Sequence, residues 1–187
     1  MPAPSNHARV GEAIVILAKA LGPWITQVLR GRIPASTTWP ELLEAKDGYP
    51  SGRRYSAGDL QCQLRIITER VGGLGFLFNG ILSRGEQNLA GELREVRNTW
   101  AHSTQFSADD AYRALDTAER LLKAVSAPQA AARIRQLRLD VQRSTYEAAA
   151  RRDTRAAAVA MPGLGEDGLA PWREVVRPHH DIVSGDF

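Results

Sequence analysis

Apolar positions recur at helical spacing along most of the chain. Val10, Ile14, Leu17, Leu21 and Ile25 predict a first helix from about Asn6 to Leu29, capped by Ser5 or Asn6. Pro23 lies inside it and should kink the helix or split it in two. A second stripe, Leu60, Leu64, Ile67, Val71, Leu74, Phe78 and Ile81, alternates steps of four and three over three heptads. Gly72, Gly73, Gly75 and Gly80 share that segment. Glycine costs about 1 kcal/mol in a helix interior. These four therefore predict either close approach by another helix, of this chain or of a second subunit, or a break near Gly72 and Gly73. A third helix, from about Glu86 to His102, carries Leu89, Leu93, Val96 and Trp100. A fourth opens at Ser107, with Asp109 and Asp110 in its positive first turn and Ala111, Leu115, Ala118, Leu122 and Val125 as its stripe. A fifth runs from about Pro128 to Ala158 with Ile134, Leu137, Val141 and Ala148 inward. Its arginines, from Arg133 to Arg155, read mainly as a solvated face.

Two stretches break the pattern. Residues 31–56 hold three prolines, three glycines and three aromatics, so they read as a long loop with one short helix in PELLEAK starting on Pro40. Arg53, Arg54 and Tyr55 in this loop form a weak candidate set for phosphate and base contacts. The alternative is a solvated connector with Trp39 tucked on the core. From Met161 the chain has three prolines, four glycines and no helical period. No strong strand pattern precedes this tail. The expected fold is all-α, an antiparallel helical bundle of about five helices over residues 5–158, with an irregular tail over 159–187.

Composition narrows the picture little. The 187 residues are 43% hydrophobic and 24% charged, with a net charge of +3. That charge is too small to name nucleic acid as the partner, although arginine, the dominant base, can grip phosphate bidentately. The single cysteine, Cys62, excludes an internal disulfide and reads as a buried thiol. No cysteine metal site is visible, and His179–His180 in the proline-flanked tail is a poor metal site. No cofactor is implied. No unbroken apolar run of membrane-spanning length stands out, and the start lacks a basic region followed by an apolar one, so no membrane association is expected and the cytoplasm is the default.

The chemistry concentrates in REVRNTWAHS, Arg94 to Ser103. On a helical wheel Leu89, Leu93, Val96 and Trp100 share one side. Asn98 and His102 lie on another, with Glu95, and Arg97 sits at the boundary. A helix docked by its stripe would turn Asn98 and His102 toward solvent, a ligand or another subunit. Histidine moves protons near neutral pH, arginine holds a phosphate and its extra transition-state charge, and asparagine orients either one. No Ser, Cys or Thr has a clear acid partner here, which leaves acyl transfer unsupported. No HExxH pair or carboxylate cluster suggests a metal. Arg97, Asn98 and His102 suit metal-free phosphodiester cleavage in which an RNA 2′-hydroxyl is the nucleophile, with Arg94 as a weak substrate contact. One histidine is few for acid and base together, and a symmetric dimer would supply two. The bland alternative is an ordinary helix end, with His102 favourable as a cation on the dipole.

Arg97-Asn98-Thr99-Trp100-Ala101-His102 resembles the RNxxxH form of the Rx4–6H motif of the HEPN superfamily. A long helix before the motif and SADDAYRALDTAERLLKAV after it resemble that superfamily's frame. GDLQCQLRIITER looks like the long helix of one branch, named after a yeast nuclear RNA-surveillance endonuclease and found in bacteria at the N-terminus of large ATPases in phage-defence islands. PWREVVRPHHDIVSGDF looks like the beginning of such an ATPase region. The resemblance implies a HEPN-like bundle that dimerises with its two motifs facing each other, and metal-independent endoribonuclease activity that leaves a cyclic phosphate. Arg97 would bind the scissile phosphate, His102 would act as general acid or base, and Asn98 would position them. A catalytically silent module that dimerises or senses nucleic acid for an attached ATPase is the alternative, followed by nucleotide or ligand binding at the same polar face. Thr104 stands where some related toxins carry a modifiable tyrosine.

Overall fold

The computed structural model describes residues 4–48, 55–102 and 105–159. Helix α1, Asn6–Leu29, starts where Ser5 Oγ accepts from Ala8 N at 3.1 Å, satisfying one of the free first-turn donors. It buries Val10, Ala13, Leu17, Leu21, Ile25 and Leu29, the expected stripe with Ala13 in place of half-buried Ile14. Pro23 does not split the helix. One turn on, Thr26 Oγ1 donates back to Gly22 O at 3.0 Å and accepts from Trp39 Nε1 at 3.1 Å. By length and mean composition alone α1 is long and apolar enough to cross a membrane, although scattered polar residues leave no unbroken apolar run in it. Here its apolar stripe is spent on the core.

Helix α2, Trp39–Asp47, opens with the backbone of Thr38 donating to Glu41 Oε2 at 2.6 Å. Trp39 and Leu43 are buried, so this part of the expected loop is anchored to the core. Helix α3 spans Leu60–Thr68 only, capped by Asp59 Oδ1 accepting from Gln61 N at 3.1 Å. The sequence stripe continued as a helix to Ile81, and the structure corrects this. Strands β1, Arg70–Val71, and β2, Gly75–Phe76, pair antiparallel around a single 3-10 turn, Gly72–Leu74. Gly72 and Gly75 have φ of 47° and 73°, which turn the chain sharply where side chains are strained. Val71, Leu77, Phe78 and Leu82 still reach the core, which is why the apolar spacing looked continuous.

Helix α4, Arg84–His102, begins at a reciprocal cap. Ser83 N donates to Glu86 Oε2 at 2.7 Å and Glu86 N donates to Ser83 Oγ at 3.3 Å. Helix α5, Ala108–Ala124, is capped by Ser107, whose Oγ accepts from Asp110 N at 3.0 Å. Helix α6 spans Pro128–Val159. The core lies where α1, α3, α4 and α5 meet, with α4 against α3 and α5, and α1 against the same two. Ile134, Leu137 and Val141 of α6 join it. The six α-helices among the described residues make the fold all-α, as expected, and α2 is the short helix anticipated in PELLEAK, starting one residue earlier at Trp39.

Contacts divide the chain into two units, Met1–Thr145 and Tyr146–Phe187. Within the second unit the described residues are helical, and Tyr146 is 66% exposed. Ala148, expected to face inward, is exposed, because alanine alone gives that stretch no apolar stripe to bury. Arg53, Arg54, Thr104, His179, His180 and the anticipated tail lie outside the described residues.

Candidate functional site

The last two turns of α4 carry Arg94, Arg97, Asn98 and His102. Ala90 and Leu93 are its fully buried positions, while Leu89, Val96 and Trp100 are half-buried against the core. Arg97 points within about 20° of Ala90 on the wheel, two turns further on. It therefore continues the buried side of the helix just as that helix leaves the core, and it is half-buried as a result. Asn98 is half-buried and His102 exposed, on the side away from the stripe. Five residues separate Arg97 from His102, a rise of about 7.5 Å.

Charge pairing sets Arg97 apart. Four arginines are half-buried among the described residues: Arg65, Arg94, Arg97 and Arg138. Arg65 forks onto Asp47 with two bonds of 2.8 Å and also bonds Glu69. Arg138 bonds Glu119 at 3.0 Å and Tyr112 Oη at 2.7 Å. Arg94, the weak substrate candidate, pairs with Glu69 at 2.8 Å and donates to Thr68 Oγ1 at 3.1 Å. Arg97 has no ion-pair or hydrogen-bond partner among the described residues. A half-buried guanidinium without a carboxylate is a ready anion site, because its desolvation is not yet offset by an opposite charge.

The Arg94 pairing belongs to a structural network joining α2, α3 and α4. Lys46 also reaches Glu69, and Tyr55 Oη donates to Asp47 Oδ2 at 2.6 Å beneath the Arg65 guanidinium. The bond from Arg65 holds the Asp47 carboxyl down at about 2. Burial works to raise Glu69, but Arg65, Lys46 and Arg94 outweigh it and bring it to about 2. Tyr55, grouped from sequence with the loop arginines as a base contact, instead locks this network. Cys62 is buried as expected, and desolvation with the neighbouring Asp59 pushes its thiol up to about 12.

Sequence reasoning missed the groups that fix the end of α4. His7 Nε2–H donates to the carbonyl of Trp100 at 3.1 Å, and Trp100 Nε1–H donates to the carbonyl of His7 at 3.2 Å. The rings stack at 5.3 Å with 13° between planes. The Trp100 carbonyl is one of the last four of α4, which have no partner within the helix. Asn6 Nδ2 donates to Phe106 O at 3.2 Å, so the start of α1 holds the chain at Trp100 and again at Phe106. Asn6 Oδ1 accepts in turn from buried Arg9. The only sequence signal was a histidine and an asparagine inside an N-cap, a commonplace pattern.

Next to His102's side of α4 a groove of about 430 Å³ runs against α5. Glu92, Glu95 and Asp110 line it, with Arg113 paired to Glu92. Glu95 lies within about 20° of His102 on the wheel, so this acidic groove borders the motif face at His102, while Arg94 and Arg97 lie toward the opposite edge of that face. Among the described residues no three His, Cys, Asp or Glu gather to hold a metal ion. No curated protein and no solved structure gives a significant match to the chain. The family model described as Swt1-like HEPN matches residues 12–126, which runs from within α1 through α5 and covers more than half of the sequence. The chain therefore belongs to the Swt1-like HEPN family, within a superfamily that includes RNase domains.

Proposed function

We propose that this domain is a metal-independent endoribonuclease. The observation that carries the reading is the half-buried, carboxylate-free Arg97 about one and a half turns before exposed His102 at the end of α4. Arg97 binds a non-bridging phosphate oxygen and takes up the charge that grows on it as the 2′-oxygen attacks. The 2′-hydroxyl proton leaves to a base, the P–O5′ bond breaks, and O5′ takes a proton, giving a 2′,3′-cyclic phosphate and a 5′-hydroxyl. His102 serves one of these two proton transfers. Two copies related by a two-fold axis, motif to motif, supply a second histidine for the other. Asn98 orients both. In a longer chain an ATPase region following the tail would control the cleavage, with RNA control or phage defence in the cytoplasm as the setting.

The full chain incubated with single-stranded RNA and EDTA is expected to yield cyclic-phosphate ends. Arg97→Ala and His102→Ala should each lower the rate by at least about 10²-fold, as loss of a charge-stabilising or proton-transfer group does. Equal cleavage by wild type and variants would mean a contaminating nuclease and end the proposal. Light scattering should show a dimer, and a monomer at high concentration would remove the shared site.

A further inference from the structure

The β-hairpin and the first half of α4 enclose a second cleft, of about 610 Å³. Its walls come from Phe76 on β2, from Asn79 and Gly80 after it, and from Arg84, Asn88 and Gly91 on α4. The structure assigns this cleft as a binding subsite for a nucleobase and its phosphate in single-stranded RNA, several nucleotides from the cut. The inference rests on the reading of the motif as an RNA-cleaving site.

Each wall offers part of what a nucleotide needs. Phe76 is 47% exposed, an apolar ring left uncovered by the fold, and a base can stack on such a face whatever its identity. Arg84 is exposed and has no carboxylate partner among the described residues, leaving its guanidinium for phosphate. Gln87 Nε2 donates to Asn79 Oδ1 at 3.3 Å and to Leu82 O at 3.1 Å. With its oxygen engaged, the Asn79 amide presents N–H donors toward a base edge. Exposed Asn88 offers a second amide, and Gly91 adds no side chain to fill the floor. Glu92 at the rim is neutralised by Arg113.

Continuity along α4 points to RNA rather than to a protein segment. Gly91, Arg94, Asn98 and His102 follow one another along its outer side, so the cleft and the motif share one face. From Gly91 to Asn98 the helix rises about 10 Å, and from Asn88 to His102 about 21 Å. At about 3.4 Å per stacked nucleotide, these distances correspond to roughly three to six nucleotides. A strand cut at the motif thus reaches Phe76 with a base three to six positions away.

The test uses the full chain carrying His102→Ala, so that RNA is bound without being cut. Fluorescence anisotropy with a labelled single strand of about twelve nucleotides, long enough to span motif and cleft, is compared with a strand of about four. Phe76→Ala and Arg84→Ala are each expected to weaken binding of the long strand by roughly tenfold, with Phe76→Tyr retaining it. The short strand should lose less than about twofold. Both sites are on the surface, and unchanged melting curves would confirm that the variants fold. Unaltered affinity for the long strand would overturn the subsite even where wild type cleaves RNA. An equal loss for both lengths would also overturn it, as would a change confined to self-association by light scattering. Failure of wild type to cleave at all marks the separate failure of the endonuclease reading.

Discussion

The bond from His7 to the Trp100 carbonyl joins residues 93 apart and sits two positions before His102. A helix end held this way keeps its last turn from fraying, and small displacements of reacting groups cost rate steeply. His7→Phe retains a ring against Trp100 but removes the donor. It should lower stability by about 1 kcal/mol, the usual worth of one hydrogen bond. It should also lower RNA cleavage by roughly tenfold, less than the full cost of a 1 Å misplacement. His7→Gln, with an N–H at comparable reach, should recover most of that loss, and an equal loss in both variants would refute the donor role. The wheel foretold the half-burial of Arg97, because burial along a single helix follows from spacing. The role of His7 was invisible, because nothing local relates the start of α1 to the end of α4. Nor could the wheel show that Arg94 would be taken by Glu69 while Arg97 stayed without an acid.

At the scale of elements, helices with long apolar stripes and side-chain caps were readable, and α1 begins and ends at the residues expected. The hairpin after α3 was not. Val71, Phe78 and Ile81 kept the helical spacing by coincidence, and the four glycines were the better signal. Gly22 shows what a glycine in a helix can be for. A Cβ there would meet the Ala57 carbonyl oxygen at 2.9 Å and Gln63 Nε2 at 3.0 Å. Gln63 is fully buried and donates to Ala18 O and Ala57 O, tying α1 to the approach to α3, so neither neighbour can give way cheaply. Gly22→Ala should therefore destabilise by about 1–3 kcal/mol despite its better helix propensity. Each kcal/mol should appear as roughly 2–4 °C in melting temperature. A rise in melting temperature would show that the two elements separate without penalty.

For the whole molecule, the network of Asp47, Glu69, Arg65, Lys46 and Arg94 fixes how stability responds to acid. Both carboxyls titrate at about 2 in the fold, against about 4 in an unfolded chain. Between those values the unfolded chain binds more protons, so this stabilisation is complete above about pH 5 and is lost as pH falls toward 2. Urea midpoints should decline over that window, and Asp47→Asn should make the decline shallower. An unchanged slope would mean that the network adds little to the fold. The part of the chain that carries the family signature is also smaller than the part that holds the motif in place. The matched span starts at Gly11's neighbour Glu12, past Ser5, Asn6 and His7, and stops before α6 supplies Arg138 to Glu119. A fragment cut to that span gives up α6 with its core residues Ile134, Leu137 and Val141, and should melt lower and show faster amide exchange from Trp100 to His102 than the full chain. Its loss of cleavage would then reflect a missing fastening, and the boundaries chosen for expression would decide whether an active protein is seen at all.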